Sequence, residues 1–240
     1  MIEIHPVEGL PEIREGDDLA ALIAERADLA DGDVLVVAQK AVSKAEGRLV
    51  RLAEVEPSDD ARELAADEDP RRLQVVLDES VRLVRTRPPL VIAETRHGLV
   101  CASAGVDSSN APEPETVVLL PEDPDASAAR IRDRLRELTG ADVGVILSDS
   151  FGRAWRQGTT DVAIGVAGIR PVLDFKGTRD PAGYELHATV IAVADELAGA
   201  GELVMGKTRG VPAALIRGVA ARGEGSAKDL LIPAERDLFR

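Results

Sequence analysis

A mixed fold of the α/β or α+β class is predicted by three features. Short β-branched runs alternate with amphipathic helical stripes, no segment repeats or thins into a low-complexity linker, and 45% of the 240 residues are hydrophobic. The N-terminus, Met1-Ile-Glu-Ile-His5, has the character of a strand. Leu19, Leu22, Ile23 and Leu29 fall near one helical face behind the capping candidates Asp17 and Asp18, and Asp33–Ala38 follows as a strand. Leu73, Leu77, Val81 and Val84 mark a second helix. Val91–Ala93 and Leu99–Cys101 flank Arg96-His97-Gly98, which predicts a hairpin. Ile131, Leu135 and Leu138 stripe a third helix, stopped by Thr139-Gly140 ahead of a strand over Val143–Leu147. Val162–Gly168 alternates branched with small residues, a strand whose one face must admit something close. Leu186, Val190, Val193 and Leu197 predict a long helix running to Met205, and Ala213–Arg217 a final strand. The order of strands in a sheet does not follow from this pattern.

Composition narrows the function classes. A net charge of −14 lacks the basic footprint that nucleic acid requires. No apolar stretch approaches bilayer-spanning length, and the acidic N-terminus lacks the basic-then-apolar order of a signal peptide. Cys101 is the only cysteine, which excludes an intramolecular disulfide and suits a reducing compartment. A cytoplasmic chain with no membrane partner is expected. Acidic segments at Glu54–Asp60 and Asp67–Asp69, beside three Phe, one Tyr and one Trp, suit solubility at high salt, so a halophilic character is expected.

Chemistry concentrates in Leu147–Thr160, directly after an apolar strand. Asp149 and Ser150 stand at that strand's carboxyl end, where ligands gather in α/β architectures. A carboxylate beside a hydroxyl offers the hard oxygens that Mg²⁺ or Mn²⁺ accepts while holding nucleotide phosphates. The same pair also suits plain turn capping. Arg153 and Arg156 offer forks for phosphate or carboxylate oxygens, and Lys176 a further positive charge. Three weaker clusters accompany this run. Gln39–Arg48 supplies Lys40, Ser43, Lys44 and Arg48, either as phosphate ligands or as a solvated basic turn. Ala104–Asn110 spaces Asp107 and Asn110 three apart, for an ion, a nucleotide group or an Asx-turn. In Met205–Gly210 the glycines let backbone amides approach phosphate, without P-loop spacing.

Other conspicuous residues carry ordinary expectations. Cys101 suits a small buried hydrophobe, and His5, His97 and His187 lack zinc-ligand spacing. Trp155 suits stacking or packing equally, Asp195 faces either the site or solvent, and Asp174, Asp180 and Gly183 suit turns.

Together, in order, Val7–Pro11, Val42–Arg48, Ala104–Asn110, Ser148–Arg156, Ala163–Gly168, Ala194–Ala198 and Leu203–Pro212 resemble the coenzyme F420:L-glutamate ligase family, over roughly residues 4 to 220. The resemblance implies a two-lobed α+β fold in a single ligase domain over residues 1–240, without the C-terminal flavin-reductase-like domain of some members. It implies GTP-dependent ligation of L-glutamate to F420-0, later glutamates being γ-linked, with Mg²⁺ or Mn²⁺, stimulation by K⁺, and a homodimer. It matches Asp107, Asp149 and Ser150 to metal ligands. Leu10, Pro11, Glu12 and Ile13, with Gln39, Lys40, Lys44 and Asn110, match nucleotide contacts. So does the segment Val204, Met205, Gly206, Lys207, Thr208, Arg209, Gly210 and Val211, where some members carry a longer acidic or amide-bearing loop in place of Lys207-Thr-Arg209. A metal-dependent nucleotide hydrolase or phosphotransferase is the rival expectation.

Overall fold

A computed structural model describes residues 1–238. The chain opens with β1 (Glu3–Pro6), and Asp18 then caps α1 (Leu19–Ala24) by accepting a bond from the Ala21 N–H at 3.0 Å. The helix stops before Leu29, which still packs against the same apolar cluster. Next come β2 (Val34–Ala38), α2 (Gln39–Ala45) and β3 (Leu49–Arg51). The basic segment after Ala38 is thus a helix, with Lys44 buried, rather than a solvated turn. Ser58 caps α3 (Asp59–Ala65), and Asp69 with Pro70 starts α4 (Pro70–Asp78).

Here a predicted element ends early. Val81 and Val84 lie in β4 (Ser80–Arg87), not in a helix, because that run pairs antiparallel with β5 (Leu90–Thr95). Four apolar residues at helical spacing are shared between a helix and the strand after it, and cross-strand pairing overrides the period. The expected hairpin is present, since β5 pairs with β6 (Val100–Ala102). After β7 (Thr116–Val118) comes α5 (Pro124–Thr139), capped by Asp123 and stopped at Gly140, whose φ of 78° is left-handed.

β8 (Gly144–Arg153) continues well past Leu147 and turns into β9 (Arg156–Ala167). The region expected to leave its strand as a free loop is therefore a long hairpin. β10 (Leu173–Asp174) pairs with β11 (Val190–Ile191), and α6 (Val193–Met205) begins only afterwards. Leu186 and Val190 are not helical: Leu186 exchanges backbone bonds with Gly177 and Thr178, at 2.8 Å each, in a turn-rich excursion. β12 (Ala213–Arg217) completes the order.

The main sheet runs β1-β12-β2-β8-β9, with β2 and β8 parallel and the other neighbours antiparallel. Helices α1 and α5 cover one face over Leu35, Val37, Val145 and Leu147, while α6 covers the other over Val34, Val36 and Ile146. A separate cluster joins α3 and α4 to β5 and β7 through Ala61, Leu73, Val76, Val91, Ala93 and Val117. This is an α+β arrangement. In the β8–β9 ladder Leu147 pairs with Gly165 but Ser148 with Ala163, so Ile164 is the extra residue of a bulge.

At the start of β2, buried Asp33 accepts bonds from Arg217 Nε at 2.9 Å and Nη2 at 2.7 Å, and from the Ala30 N–H at 2.9 Å. Burial works to raise its pKa, but the guanidinium fork and the amide outweigh burial and hold it below the ordinary value. Asp33→Ala is expected to cost about 2 kcal/mol at pH 7, less than a fully buried pair because Arg217 reaches solvent. A depressed carboxylate contributes stability above its unfolded pKa and loses it as pH falls through the folded one. Urea titrations should therefore show the gap between wild type and variant closing below about pH 4.

Candidate functional site

The parallel pairing of β2 with β8 sets Ala38 beside Ser148, so both strands finish at one edge of the sheet. Gln39 and Lys40 open α2 there, next to Asp149 and Ser150. Asp107 is carried to the same edge by its bridge to Val118: its N–H donates to the Val118 carbonyl at 3.1 Å and its carbonyl accepts at 2.8 Å. Its carboxylate closes an Asx-turn on Ser109 and receives Lys40 Nζ at 2.6 Å. Lys40 also donates to Ser109 Oγ. Burial opposes ionisation of Asp107, yet the lysine and the Ser109 bonds hold its pKa below the usual carboxylate range.

Successive side chains of a strand point to opposite faces. Asp149 therefore shares the face of Leu147, toward α1 and α5, while Ser148 and Ser150 share that of Ile146, toward α6. On the first face, burial raises the Asp149 pKa to about 6; Lys40 and the Ser150 amide oppose the rise, and Asp161 and Asp107 reinforce it. On the second face stands Asp161, opposite Ser150 in the ladder and 4% exposed. It accepts bonds from Ser150 Oγ at 2.6 Å and Ser148 Oγ at 3.0 Å. Lys207 reaches the same point, donating to Ser150 Oγ with its Nζ 3.4 Å from Asp161 Oδ1. Asp161 carries little sequence signal, since it follows Thr159-Thr160 in what looks like a polar turn. Its position two residues before Ala163, on an inward-facing parity, is the one clue.

Of the expected site residues, Lys40, Asp107, Asp149, Ser150 and Lys207 converge. Beside them, Lys44 is buried and paired with Glu12 at 2.5 Å. Gln39 is also buried, but its amide nitrogen is committed to Ser43 Oγ at 2.6 Å and the Leu119 carbonyl at 2.8 Å. Ile13 is core, Leu10 packs against that core, and Pro11 is exposed. Met205 and Val211 are buried and Val204 packs beside Met205, so the segment's accessible part is Gly206 to Gly210. Gly206, with φ 61°, ends α6, and Arg209 is tied to the Val204 carbonyl at 2.9 Å. Thr208 is exposed. Asn110 lies aside, at φ 57°, with Glu113 and Glu115 in a cleft of about 460 Å³.

Arg153 and Arg156 are exposed at the hairpin tip; Arg153 is about 13 Å along the strand from Asp149. Exposed Trp155 makes the turn between them at φ 59°. Lys176 pairs with Asp174 at 3.2 Å, and Asp174 and Asp180 cap turns as expected. Asp195 holds β9 by accepting from the Ala163 N–H at 2.9 Å; burial raises its pKa against that bond. Burial, then the Asp149 charge, pushes the Cys101 thiol up to about 12, so it is inert near neutral pH.

Among the described residues no three His, Cys, Asp or Glu side chains gather as a metal-holding group. The donors nonetheless fit a hard divalent ion. They are all oxygens, and Asp149 sits close enough to Asp107 and Asp161 that their charges disfavour its own, a repulsion a cation relieves.

Residues 9–218 match the family model described as F420-0:Gamma-glutamyl ligase. Relatives named coenzyme F420:L-glutamate ligase include one from Methanopyrus kandleri, 49% identical over 100% of this chain and 98% of its own length. One from Methanothermobacter thermautotrophicus is 45% identical over 100% and 99%. One from Methanocaldococcus jannaschii is 43% identical over 96% and 94%.

Proposed function

The chain belongs to the F420-0:gamma-glutamyl ligase family, and on that premise we propose that it joins L-glutamate to coenzyme F420-0 with hydrolysis of GTP to GDP. The names of near-full-length relatives support the ligase. The single observation that carries the mechanism is the meeting of Asp107, Asp149, Asp161, Lys40 and Lys207 at one sheet edge, where anionic oxygens and ammonium groups alternate.

A carboxylate is a poor acyl donor because it has no good leaving group. In our reading the γ-phosphoryl group of GTP passes to the F420-0 carboxylate, and the α-amine of glutamate displaces phosphate from that acyl phosphate. A second turn on the new γ-carboxylate gives the γ-linked product. Asp107 and Asp149 would hold Mg²⁺ or Mn²⁺, which would supply charge neutralisation between two anions that must approach each other, while Ser150, expected beside them, turns its hydroxyl to the other face of β8 and meets Asp161 and Lys207 there. K⁺ belongs to the same proposal. In this reading Lys40 and Lys44, which pair with Asp107 and Glu12, would transfer to phosphate oxygens. The exposed segment from Lys207 to Gly210 would bring backbone amides to the nucleotide, the Gly206 amide being held by the Glu202 carbonyl at 2.8 Å. Arg153 and Arg156 enter as contacts for glutamyl carboxylates, since the hairpin tip lies too far from Asp149 to reach the transferred phosphate.

The test is mass spectrometry of F420-0 incubated with L-glutamate, GTP, Mn²⁺ and the protein. A product heavier by glutamyl units, with GDP formed, supports the proposal. GDP formed equally without F420-0 and glutamate points instead to a hydrolase. A cytoplasmic homodimer is part of this reading, and sedimentation of the purified protein checks the dimer.

The salt expectation has its own measurement. With a net charge of −14, self-repulsion is strongest at low ionic strength. The melting temperature is expected to rise by several degrees or more, on the order of 5–15 °C, between 0.1 M and 2 M KCl as screening and ion exclusion act together. A flat profile would sink the halophilic reading.

A further inference from the structure

We propose that Lys207 is a resident cation: its ammonium fills, from the protein itself, the cation position made by Ser150 Oγ and the Asp161 carboxylate on the α6 face of β8. The chain then takes up one divalent ion fewer than the same cleft would hold without it. This deepens the metal-dependent reading above and rests on it.

The orientation of the hydroxyls carries the argument. A serine hydroxyl has one proton and two lone pairs. Ser150 gives its proton to Asp161 Oδ1 at 2.6 Å and Ser148 gives its own to Asp161 Oδ2 at 3.0 Å. Ser150 Oγ therefore turns lone pairs outward, and Asp161 Oδ1 lies beside it. That is an acceptor pair built for a cation, and Lys207 Nζ occupies it, donating to the first and standing 3.4 Å from the second. Lys207 is the first residue after Gly206, whose positive φ ends α6, and the chain beyond is pinned where Arg209 donates to the Val204 carbonyl. The ammonium is thus delivered by a short tether.

Charge balance separates the two faces of the strand. Toward α1 and α5, Asp149 and Asp107 face one ammonium, that of Lys40, and leave a net negative charge that draws an ion. Toward α6, Asp161 faces Lys207 and the pair is neutral. The side chain of Lys207 is 60% exposed, so its replacement alters the charge at Asp161 while leaving the packed core alone.

Mn²⁺ uptake by the full chain, without nucleotide, is counted by the electron paramagnetic resonance of free Mn²⁺ and by calorimetry for wild type, Lys207→Gln and Lys207→Arg. Lys207→Gln should bind one additional Mn²⁺ per chain, at least about tenfold tighter than any second ion in wild type, because a like charge has left the position. Lys207→Arg should keep the wild-type count. Adding Asp161→Asn to Lys207→Gln, with folding checked by circular dichroism, should remove the added ion. Equal counts and affinities in wild type and Lys207→Gln, zero in both included, overturn the proposal, as does an added ion that survives loss of the Asp161 charge. Glutamate transfer assayed on the same wild-type preparation reports separately on the ligase, so a failure of either reading is visible by itself.

Discussion

Asp149→Asn is expected to lower kcat/KM for glutamate transfer by about 10²–10³-fold, the usual cost of removing one preorganised electrostatic contact at a site of charge development. The asparagine keeps the shape and loses the charge. The same substitution is expected to stabilise the fold when no divalent ion is added. The folded-state pKa of Asp149, pushed up to about 6 by burial, lies above the ordinary carboxylate value. Such a group contributes stability that is fully present below the unfolded pKa and is lost as pH rises through the folded one. At pH 7.5 wild type therefore carries a penalty of about 1–3 kcal/mol that the variant lacks. Denaturant titration at pH 7.5 and at pH 4 checks both signs. The variant should be the more stable at the higher pH, with the gap closing at the lower. An active variant, or one less stable at pH 7.5, would contradict the arrangement described.

The second large effect is structural. A Cβ at Gly165 would lie 2.4 Å from the Pro124 carbonyl oxygen and 2.5 Å from its carbon, where the first turn of α5 crosses β9. Neither backbone can retreat easily, since the Val166 N–H donates to Asp125 Oδ1 at 2.7 Å within the same contact. Gly165→Ala is expected to cost about 2–3 kcal/mol, at the upper end for overpacking because backbone rather than a flexible side chain is struck. For a chain of this size that lowers the melting temperature by roughly 5–10 °C. Gly152→Ala is the control. It meets nothing within 4 Å, and its φ is not in the left-handed region. Calorimetry of both variants decides the matter.

Gly165 also shows what the sequence makes legible. Alternation of branched with small residues over Val162–Gly168 predicts a strand with a close neighbour on one face, and α5 is that neighbour. Asp18, Gly140 and the hairpin about His97 are equally readable because each rests on local chemistry: a cap, a left-handed stop, a turn. Local pattern fails where the decision is made at long range. Val81 and Val84 keep helical spacing with α4, and Leu186 and Val190 with α6, but their backbones are claimed by partners elsewhere in the chain. The candidate site divides the same way. Asp149 and Lys40 announce themselves by charge at strand exits, and Asp107 by its spacing to Asn110. Asp161 does not, because its importance comes from the register between β8 and β9, which no spacing within one strand encodes.

That register depends on the bulge at Ile164. Were β9 regular from Gly165 onward, Val162 would stand opposite Ser150, and Asp161 would slide beside Phe151. Two serine hydroxyls would then face a valine, and Lys207 would have no carboxylate to meet. The chemistry at this edge is therefore written partly in arithmetic. It depends on how many residues separate Ala163 from Gly165 as much as on which residues line the cleft. A lineage could conserve every acid and lysine in the cleft and still disconnect Ser150 from its acid by gaining or losing one aliphatic residue several positions away. The length of this short stretch therefore shapes the site as directly as the identity of the acids does.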